Sequence, residues 1–552
     1  MKRVWILFLI ILFAAILRLY YLGKTPISLE WDEVALGYDA YSILKTGRDQ
    51  FGQFLPLTFR SIDDYKPPLY IYADVPAVFI FGLNEFSARF PSAIFGIIAV
   101  ALTYYLVLEI FRDRKKREKH LLALLASLFL AISPWHLQFS RAAFETNLSV
   151  TITISAVLFF LKGIKGNSQS FILSSVFFGL ALFSYHSTRV VTPLLLLSLF
   201  LIFHQSLPSR KNVFFFWIIY FFFVYFFIPI ASSKEAQIRF LATNDLNISY
   251  YQEQAAKLIA QDQTIGAEFA GRIFHNRRLA MLNYENVTKF LHNYLAHFSP
   301  EFLFVKGDVP LHHAPGFGMM YFFDFPLLML GVIFYLIKYK SRRSLILPIW
   351  LLLSPIPAAV TWQSPHAVRT EIILPTLQIF SAIGLLELFL FIRNESRHFY
   401  LIASILSSAI FFFGFGSYLH QYYAHTNIEL SENWLYGRKE TALFTEKEKA
   451  KYDKVIVSSK VDMPYIFWLF YTKYPPEKLL AEGGTISGGF AETKNHFDKY
   501  EFHGFDYETI KKSNEKILLV GIPTEFHSDA DVLKTIYYLD GTPALKIVGI
   551  NK

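Results

Sequence analysis

The sequence predicts a polytopic α-helical membrane protein of about eleven spans, with a small mixed α/β domain at its carboxyl end. Three observations predict this fold class. Of the 552 residues, 53% are hydrophobic and 58 are phenylalanine, which is too apolar for one soluble domain. Long apolar stretches recur through residues 1–419, whereas residues 420–552 lack them. Short basic segments separate alternate apolar stretches, as in the cytoplasmic loops of membrane proteins.

The apolar stretches are the candidate spans, because a helix needs about 20 residues to cross the hydrocarbon core, and the shorter stretches gain length from neighbouring polar residues. They are residues 4–21, 93–111, 121–135, 148–161, 171–183, 190–203, 213–230, 319–337, 345–360, 372–392 and 401–419. Residues 71–81 are apolar too, but about eleven residues are too few to span. They are predicted to form an interfacial helix.

The charge of the connections orients the chain. With the amino terminus in the cytoplasm, five connections fall inside and all are basic: residues 112–120, 162–165, 210–211, 338–343 and 393–397. The odd count places residues 420–552 outside. No small-x-small cleavage site follows residues 4–21, so this segment is predicted to be an anchor. The short amino terminus, the absence of cysteine and the compact tail favour the plasma (inner) membrane of a prokaryote.

Three elements are expected on the outer side. Residues 1–419 form the membrane domain, with large outer loops at 23–91 and 231–318. Residues 420–552 form a soluble extracytoplasmic α/β domain, with strands near 454–457 and 516–522, a helix near 465–471 and a turn at Asp540-Gly541. The net charge of +9 predicts no nucleic-acid partner, because its clearest cluster lies between two apolar stretches.

Asp32 and Glu33 are adjacent carboxylates eleven residues beyond the first apolar stretch, where a span meets water. They indicate either chemistry at the membrane surface or an ordinary helix amino-terminal cap. Tyr65-Lys66-Pro67-Pro68 follows in the same outer element. The prolines keep Lys66 out of a helix and hold its ammonium at a defined height, which suits a phosphate. The alternative is that Pro-Pro only begins the interfacial helix.

Further polar groups lie at the outer ends of spans. Arg141 and Glu145 are four residues apart, so they are expected to pair, although Glu145 could instead stand as a second acid. Arg18, near the outer end of the first span, is expected to snorkel to the headgroups. The remaining groups describe a cationic, histidine-rich outer pocket: Tyr185, His186, Arg189, His297, Lys306, Asp308, His312, His313, Gln363, His366, Arg369 and Glu371.

These motifs carry a resemblance. Over residues 1–390 the chain resembles the ArnT-like and protein-O-mannosyltransferase-like GT-C glycosyltransferases, and its tail resembles the outer soluble domain of some members. The resemblance implies transfer of a sugar from a polyprenyl-phosphate-linked donor to a lipid, glycan or protein acceptor outside the membrane. The motifs that carry it are Asp32-Glu33, Tyr65-Lys66-Pro67-Pro68, Arg89-Phe90-Pro91-Ser92, residues 141–145, Asn293-Tyr294 with residues 297–300, residues 316–318, and Pro365-His366 with Arg369.

The resemblance also implies roles. Asp32 is expected to take the acceptor's proton, with Glu33 in support, because members place their key acid in this pair. In-line attack opposite the leaving phosphate predicts inversion. The carrier phosphate is expected to contact Tyr65, Lys66, Arg141, His297, His366 and Arg369. Acceptor or supporting contacts are expected from Glu145, His312 and His313.

No cofactor is expected, and the absence of cysteine excludes thiolate metal sites. If a divalent cation is required, Asp32, Asp39 and Glu145 could supply oxygen ligands. His312 and His313 are predicted to contact phosphate or acceptor, because adjacent residues do not normally face one ligand. The alternative functions are a flippase or transporter, and a polymerase or ligase, of lipid-linked saccharides. Transport is disfavoured because it calls for ionisable groups in mid-membrane, and the apolar stretches carry almost none.

Overall fold

Most of the described chain is helical. The computed structural model describes residues 2–61, 64–233, 243–244, 248–275, 284–395, 397–487 and 495–551. The predicted outer loop 231–318 therefore falls partly outside the described residues, at 234–242, 245–247 and 276–283.

Helices follow one another with short connections through the membrane region. The first ten are α1 (Lys2–Leu19), α2 (Trp31–Thr46), α3 (Pro68–Phe81), α4 (Glu85–Ile110), α5 (Lys116–Ile132), α6 (Pro134–Phe139), α7 (Glu145–Gly163), α8 (Ser168–Ala181), α9 (Thr188–Phe203) and α10 (Arg210–Ala231). Then come α11 (Ile248–Thr264), α12 (Glu268–Phe274), α13 (Tyr284–Ala296), α14 (Asp324–Lys338), α15 (Ile346–Leu353), α16 (Ile356–Ala359), α17 (Ala367–Thr370), α18 (Thr376–Glu395), α19 (Arg397–His420) and α20 (Thr426–Glu429). Short strands β1 (Phe59–Arg60) and β2 (Tyr65–Lys66) pair antiparallel between α2 and α3.

The chain is a multi-pass membrane protein. Among the described residues, six helices are long and apolar enough to cross a membrane by length and composition: Glu85–Ile110, Glu145–Gly163, Thr188–Ser206, Arg210–Ala231, Thr376–Arg393 and His398–Glu429. The predicted short helix over 71–81 is present as the 14-residue α3. The count of eleven spans stays a prediction.

The predicted outer loop 23–91 is a folded segment that contains α2, the β1–β2 pair and α3. It also contains the start of α4, which begins earlier than the predicted span. Asn84 caps α4, because its side chain accepts hydrogen bonds from the N–H groups of Phe86 (2.9 Å) and Ser87 (3.1 Å). Arg89 therefore lies inside a helix, and this places it opposite the start of α2.

Basic connections predicted to share one side of the membrane do meet at one end of the helices. Glu109, near the end of α4, forms ion pairs with Lys165 and with Arg343 (3.4 Å). Arg114, after α4, forms an ion pair with Glu387 of α18. These contacts join the connections after α4, α7 and α14, as the basic pattern predicted. Which side of the membrane this end faces stays a prediction.

A small α/β unit is present at the carboxyl end. Its helices are α21 (Arg438–Glu448), α22 (Pro464–Tyr471), α23 (Pro476–Ala481) and α24 (Tyr507–Ile510), and its strands are β3 (Lys454–Val457), β4 (His496–Phe497), β5 (Tyr500–Phe502), β6 (Ile517–Gly521), β7 (Val532–Tyr537) and β8 (Pro543–Ile550). The described strands form one sheet in the order β4-β5-β3-β6-β8-β7. β3 is parallel to β5 and β6, and the other pairs are antiparallel. The predicted strands 454–457 and 516–522 and the predicted helix 465–471 are confirmed.

The α/β unit packs directly on α2. The Tyr38 hydroxyl donates a hydrogen bond to the Tyr474 carbonyl (2.9 Å), and buried apolar side chains of α2, α3, α22 and the sheet form one continuous core. At Gly37 the packing is so close that an added Cβ would lie 2.7 Å from the Phe470 ring. The α/β unit therefore fixes the position of α2, the helix that carries Asp32 and Glu33.

Arg18 and Arg141 are both fully buried, and each differs from the position that the sequence predicted. Arg18 is fully buried instead of snorkelling, and donates hydrogen bonds to the Ala131 carbonyl (3.0 Å) and to His136 Nδ1 (2.7 Å). Arg141 does not pair with Glu145, but donates to the Leu17 carbonyl (2.7 Å). These carbonyls end α5 and α1, and the last carbonyls of a helix lack partners within it. Capping them makes burial of each guanidinium favourable.

Candidate active site

The candidate site is built around the first turn of α2, which carries the Asp32-Glu33 pair. Glu30 caps this helix, and its carboxylate accepts a hydrogen bond from the Asp32 N–H (2.8 Å). The Glu33 carboxylate accepts one in return from the Glu30 N–H (3.1 Å), which completes a capping box. The capping interpretation of the pair therefore holds for Glu33, and the Asp32 side chain is left for other contacts.

Glu33 links three elements. Both of its oxygens accept hydrogen bonds from the Arg89 guanidinium, at 2.8 and 2.9 Å, and Oε1 also accepts from the Ala143 N–H (2.7 Å). The two side chains are 3% and 0% exposed. A bidentate pair in this geometry is strong and specific. Glu33 is therefore a positioning residue that fixes the start of α2 against α4 and the turn before α7.

Asp32 forms the polar centre of the site with Lys66. Lys66 Nζ lies 2.8 Å from Asp32 Oδ2 and 3.2 Å from Asp64 Oδ2. The Asp32 side chain is 38% exposed, whereas that of Lys66 is 11% exposed. Lys66 ends β2 and Pro68 begins α3, so Lys66 lies outside a helix and the prolines lead into one. That Lys66 contacts a phosphate stays a prediction. The pair offers an exposed carboxylate backed by a buried cation.

The surrounding carboxylates keep Lys66 charged. Burial favours its neutral amine, but Asp32 and Glu145 together outweigh burial and raise the pKa of Lys66. Glu145, at the first turn of α7, is buried, and its Oε1 has no hydrogen-bond partner within the described part of the chain. Asp32 and Asp64 therefore contact the ammonium directly, and the charge of Glu145 acts on it as well, as expected if Glu145 stands as a second acid.

The charges of this centre and of Arg369 both act on Tyr185. Burial raises the pKa of the Tyr185 phenol, and the charges acting on it include Arg369, Glu145, Lys66 and Asp32. The Arg369 guanidinium reaches this region from α17, where Nη1 donates to Thr361 Oγ1 (2.7 Å). The sequence identified Tyr185 as an outward polar group without a role. Its position just beyond the predicted span 171–183 was the only available signal.

His186, the residue after Tyr185, contacts the main chain of Tyr65. His186 Nε2 lies 3.2 Å from the Tyr65 carbonyl, and Arg189 donates a hydrogen bond to His186 Nδ1 (2.8 Å). Since Arg189 occupies Nδ1 as an acceptor, Nε2 carries the proton and donates to Tyr65. Burial, Arg189 and Lys66 hold the pKa of His186 well below its ordinary value. This contact fixes the strand that ends at Lys66.

A second polar cluster lies where the connection between α13 and α14 meets the segment before α17. His297 directly follows α13. Its Nδ1 lies 2.8 Å from the Asn293 carbonyl, and its Nε2 accepts a hydrogen bond from the His366 main-chain N–H (3.1 Å). Burial lowers the pKa of His297 to about 4, so it is neutral. Asp308 Oδ2 lies 2.8 Å from His312 Nδ1 and accepts from the Ala367 N–H (2.7 Å).

Other predicted residues lie elsewhere. Arg141 is fully buried and engaged with main-chain carbonyls. His313 faces away from His312, with Nδ1 near the Ala314 carbonyl, as the adjacency argument expected. Asp39 lies seven residues beyond Asp32, about 10 Å along α2, and accepts hydrogen bonds from Gln50. This spacing disfavours one cation bound by both Asp32 and Asp39, and the use of Asp32, Asp39 or Glu145 as cation ligands stays a prediction.

Comparisons with known proteins agree with the predicted fold. The family model described as dolichyl-phosphate-mannose-protein mannosyltransferase matches residues 65–232, from the strand that carries Lys66 to the end of α10. No curated protein matches the sequence significantly.

Solved structures match nearly the whole chain at low identity. ArnT from Cupriavidus metallidurans bound to undecaprenyl phosphate is 13% identical with a TM-score of 0.56, covering 99% of this chain and 98% of that one. The apo form is 12% identical with a TM-score of 0.54, covering 99% and 97%. An Archaeoglobus fulgidus oligosaccharyltransferase tethered to an acceptor peptide is 16% identical with a TM-score of 0.52, covering 94% and 69%. The ArnT-like fold predicted from the motifs is confirmed.

Proposed function

We propose that the protein is an integral-membrane glycosyltransferase that moves a sugar from a polyprenyl-phosphate carrier to a hydroxyl of a lipid, glycan or protein. The observation that carries this proposal is the Asp32–Lys66 pair, 2.8 Å apart at the exposed start of α2. It combines a proton acceptor and a phosphate-neutralising cation at one point. A similar fold that binds undecaprenyl phosphate supports the same class of donor here.

Lys66 acts on the leaving phosphate. When the bond between the anomeric carbon and the phosphate oxygen breaks, the electron pair stays on the phosphate and its negative charge grows. A buried ammonium stabilises such charge more strongly than one in water, because the surrounding dielectric is low. The charges of Lys66 and Arg369 both act on Tyr185, whose hydroxyl can donate to phosphate, so Arg369 is proposed as a second cation of the region.

Asp32 acts on the acceptor. Its carboxylate takes the proton of the acceptor hydroxyl as the oxygen attacks the anomeric carbon. Inversion requires the attacking oxygen and the phosphate to lie on opposite sides of that carbon. One ammonium cannot then hold both Asp32 and the phosphate. In our proposal the arriving phosphate draws Lys66 away from Asp32, which frees the carboxylate as a base only when the donor is bound.

The proposed site faces the outside of the plasma membrane of a prokaryote, with the amino terminus in the cytoplasm. The basic end of the bundle then lies inside, and the α/β unit lies outside. Because the chain has no cysteine, single introduced cysteines report topology cleanly. Thr542→Cys should react with a membrane-impermeant maleimide in intact cells, and Ser341→Cys only after permeabilisation. The reverse pattern would overturn the orientation.

The transfer itself is tested with purified protein in liposomes, a pool of polyprenyl-phosphate sugars and a crude envelope extract. The readout is free polyprenyl phosphate. Asp32→Asn should abolish release while donor binding is kept, and Lys66→Met should weaken donor binding as well. Glu301→Gln is the matched control, because it breaks a Lys–Glu pair whose two side chains are largely solvent-exposed. It should leave release unchanged.

Each result has a defined meaning. Release by the wild type but not by Asp32→Asn supports transfer, the consumed donor identifies the sugar, and the anomeric configuration of the product tests inversion. If the wild type releases no carrier phosphate but moves labelled lipid-linked sugar across the bilayer, the protein is a transporter. If Asp32→Asn retains full release, another residue is the base.

A further inference from the structure

Three side chains from two separate connections converge beside the proposed site. Asp308 and His312 lie between α13 and α14, and His366 lies directly before α17. One ligand atom from each of the three lies within 4.8 Å of the other two. The His312 and His366 rings are 5.2 Å apart between centroids. The fold thus gathers two imidazoles and a carboxylate around one point.

Two atoms of this cluster are left unsatisfied. Asp308 Oδ1 and His366 Nδ1 are buried and make no hydrogen bond to any described residue. The Asp308 side chain is only 5% exposed, and that of His366 is 12% exposed. A buried polar atom without a partner destabilises a protein, and more so when it is charged. A further polar or ionic group between these atoms would remove this penalty.

The two imidazoles and the carboxylate determine which kind of ion can bind between them. Two imidazole nitrogens and a carboxylate oxygen bind borderline transition-metal ions such as Zn²⁺, whereas Mg²⁺ and Ca²⁺ prefer oxygen ligands alone. In a tetrahedral zinc site with bonds of about 2.0–2.1 Å, neighbouring ligands lie about 3.3 Å apart. His366 Nδ1 and Asp308 Oδ2 are 4.0 Å apart, and His312 Nδ1 and Asp308 Oδ2 are hydrogen-bonded at 2.8 Å. Shifts of less than about 1 Å would bring both pairs to zinc spacing, with the ion replacing the His312–Asp308 hydrogen bond.

The contacts around the cluster hold its members in place. Asp308 Oδ2 accepts from the Ala367 N–H, and the His366 N–H donates to His297 Nε2. Such outer contacts orient ligands before a metal binds and are a regular part of metal sites. We propose that Asp308, His312 and His366 bind one Zn²⁺ ion, with a water molecule in the fourth position. The ion would tie the connection before α14 to the segment that carries Arg369.

This site is independent of the proposed sugar transfer. It differs from the expectation of no metal, because Asp308 and His366 are far apart in the sequence and only the fold brings them together. His312 takes part without His313, which agrees with the argument that adjacent residues do not share a ligand. Its role is to fix the two connections relative to each other, and it can be tested by metal content alone.

The experiment uses full-length protein in detergent, stripped with a chelating resin and reloaded with Zn²⁺. We expect one bound Zn²⁺ per chain by mass spectrometry of the metal, and a higher melting temperature with Zn²⁺ than without. Loss of a residue that only orients a ligand weakens metal binding by up to about 100-fold. Asp308→Asn and His366→Gln each change a ligand itself, so each should weaken Zn²⁺ binding by at least about that factor. Co²⁺ should give a visible spectrum typical of four-coordinate binding in the wild type but in neither of these two variants.

Two control variants separate this site from its surroundings. His313→Gln changes the neighbouring histidine and should keep the Zn²⁺. His527→Gln disrupts an exposed cluster with Glu508 and Asp529, and should also keep it. If the stripped protein binds no Zn²⁺, the proposal is wrong and water fills the gap. If His527→Gln removes the ion, the exposed cluster holds it and the proposal is equally wrong. Variants that lose Zn²⁺ yet keep the metal-free melting temperature exclude misfolding as the cause.

Discussion

Asp32 and Glu33 are neighbours in the sequence but make different contacts, so substituting each in turn should affect stability differently. Glu33→Gln removes the charge from a carboxylate that accepts four hydrogen bonds and leaves Arg89 buried without a counter-ion. Breaking a pair this deeply buried costs about 3–5 kcal/mol. Asp32→Asn breaks a pair whose carboxylate is 38% exposed, and such pairs contribute less than about 1 kcal/mol.

The difference is large enough to measure. For cooperative unfolding of 552 residues, the unfolding entropy is about 1.2 kcal/mol/K, so a loss of about 4 kcal/mol lowers the melting temperature by about 3 °C. Asp32→Asn should shift it by less than about 1 °C. The assay is thermal unfolding in detergent by intrinsic fluorescence, run beside carrier-phosphate release. Equal shifts for the two variants, or an unshifted Glu33→Gln, would refute the division of roles.

Three further predictions concern stability. Because the folded state keeps the pKa of His186 below its ordinary 6.5, the unfolded state takes up the proton first, and stability should fall as the pH is lowered below about 6.5. His186→Gln should flatten that decline in melting temperature between pH 7 and 5, and an unchanged slope would contradict the assignment. Gly37→Ala should destabilise by about 1–3 kcal/mol, because its Cβ would overlap the Phe470 ring. Gly416→Ala, a helical glycine with open space around it, should be neutral or stabilising in the same melting assay. Arg18→Met should destabilise by about 1–3 kcal/mol for each carbonyl of α5 left unpaired, and a melting temperature equal to that of the wild type would show that the cap is dispensable.

The membrane architecture was predictable because it depends on local patterns. The length of the apolar stretches predicted spanning helices such as α4 and α7. Charge alone assigned the basic connections to a common side. Lys66 was placed beside the acidic pair because proline restricts the backbone wherever it occurs. The same reasoning failed for Arg141 and Arg18, since a helical spacing or a span end does not reveal which carbonyls a guanidinium will reach.

The sequence by itself determined that this chain is a membrane protein with an α/β tail, and it predicted that Lys66 lies beside the Asp32-Glu33 pair. Hydrophobic periodicity, charge asymmetry and proline act over a few residues, so they can be read directly. Only the tertiary structure decided that Glu33 pairs with Arg89, leaving Asp32 with Lys66, and that Asp308 meets His366. Those partners are separated by tens of residues, and whether a buried charge is neutralised depends on which helices pack together.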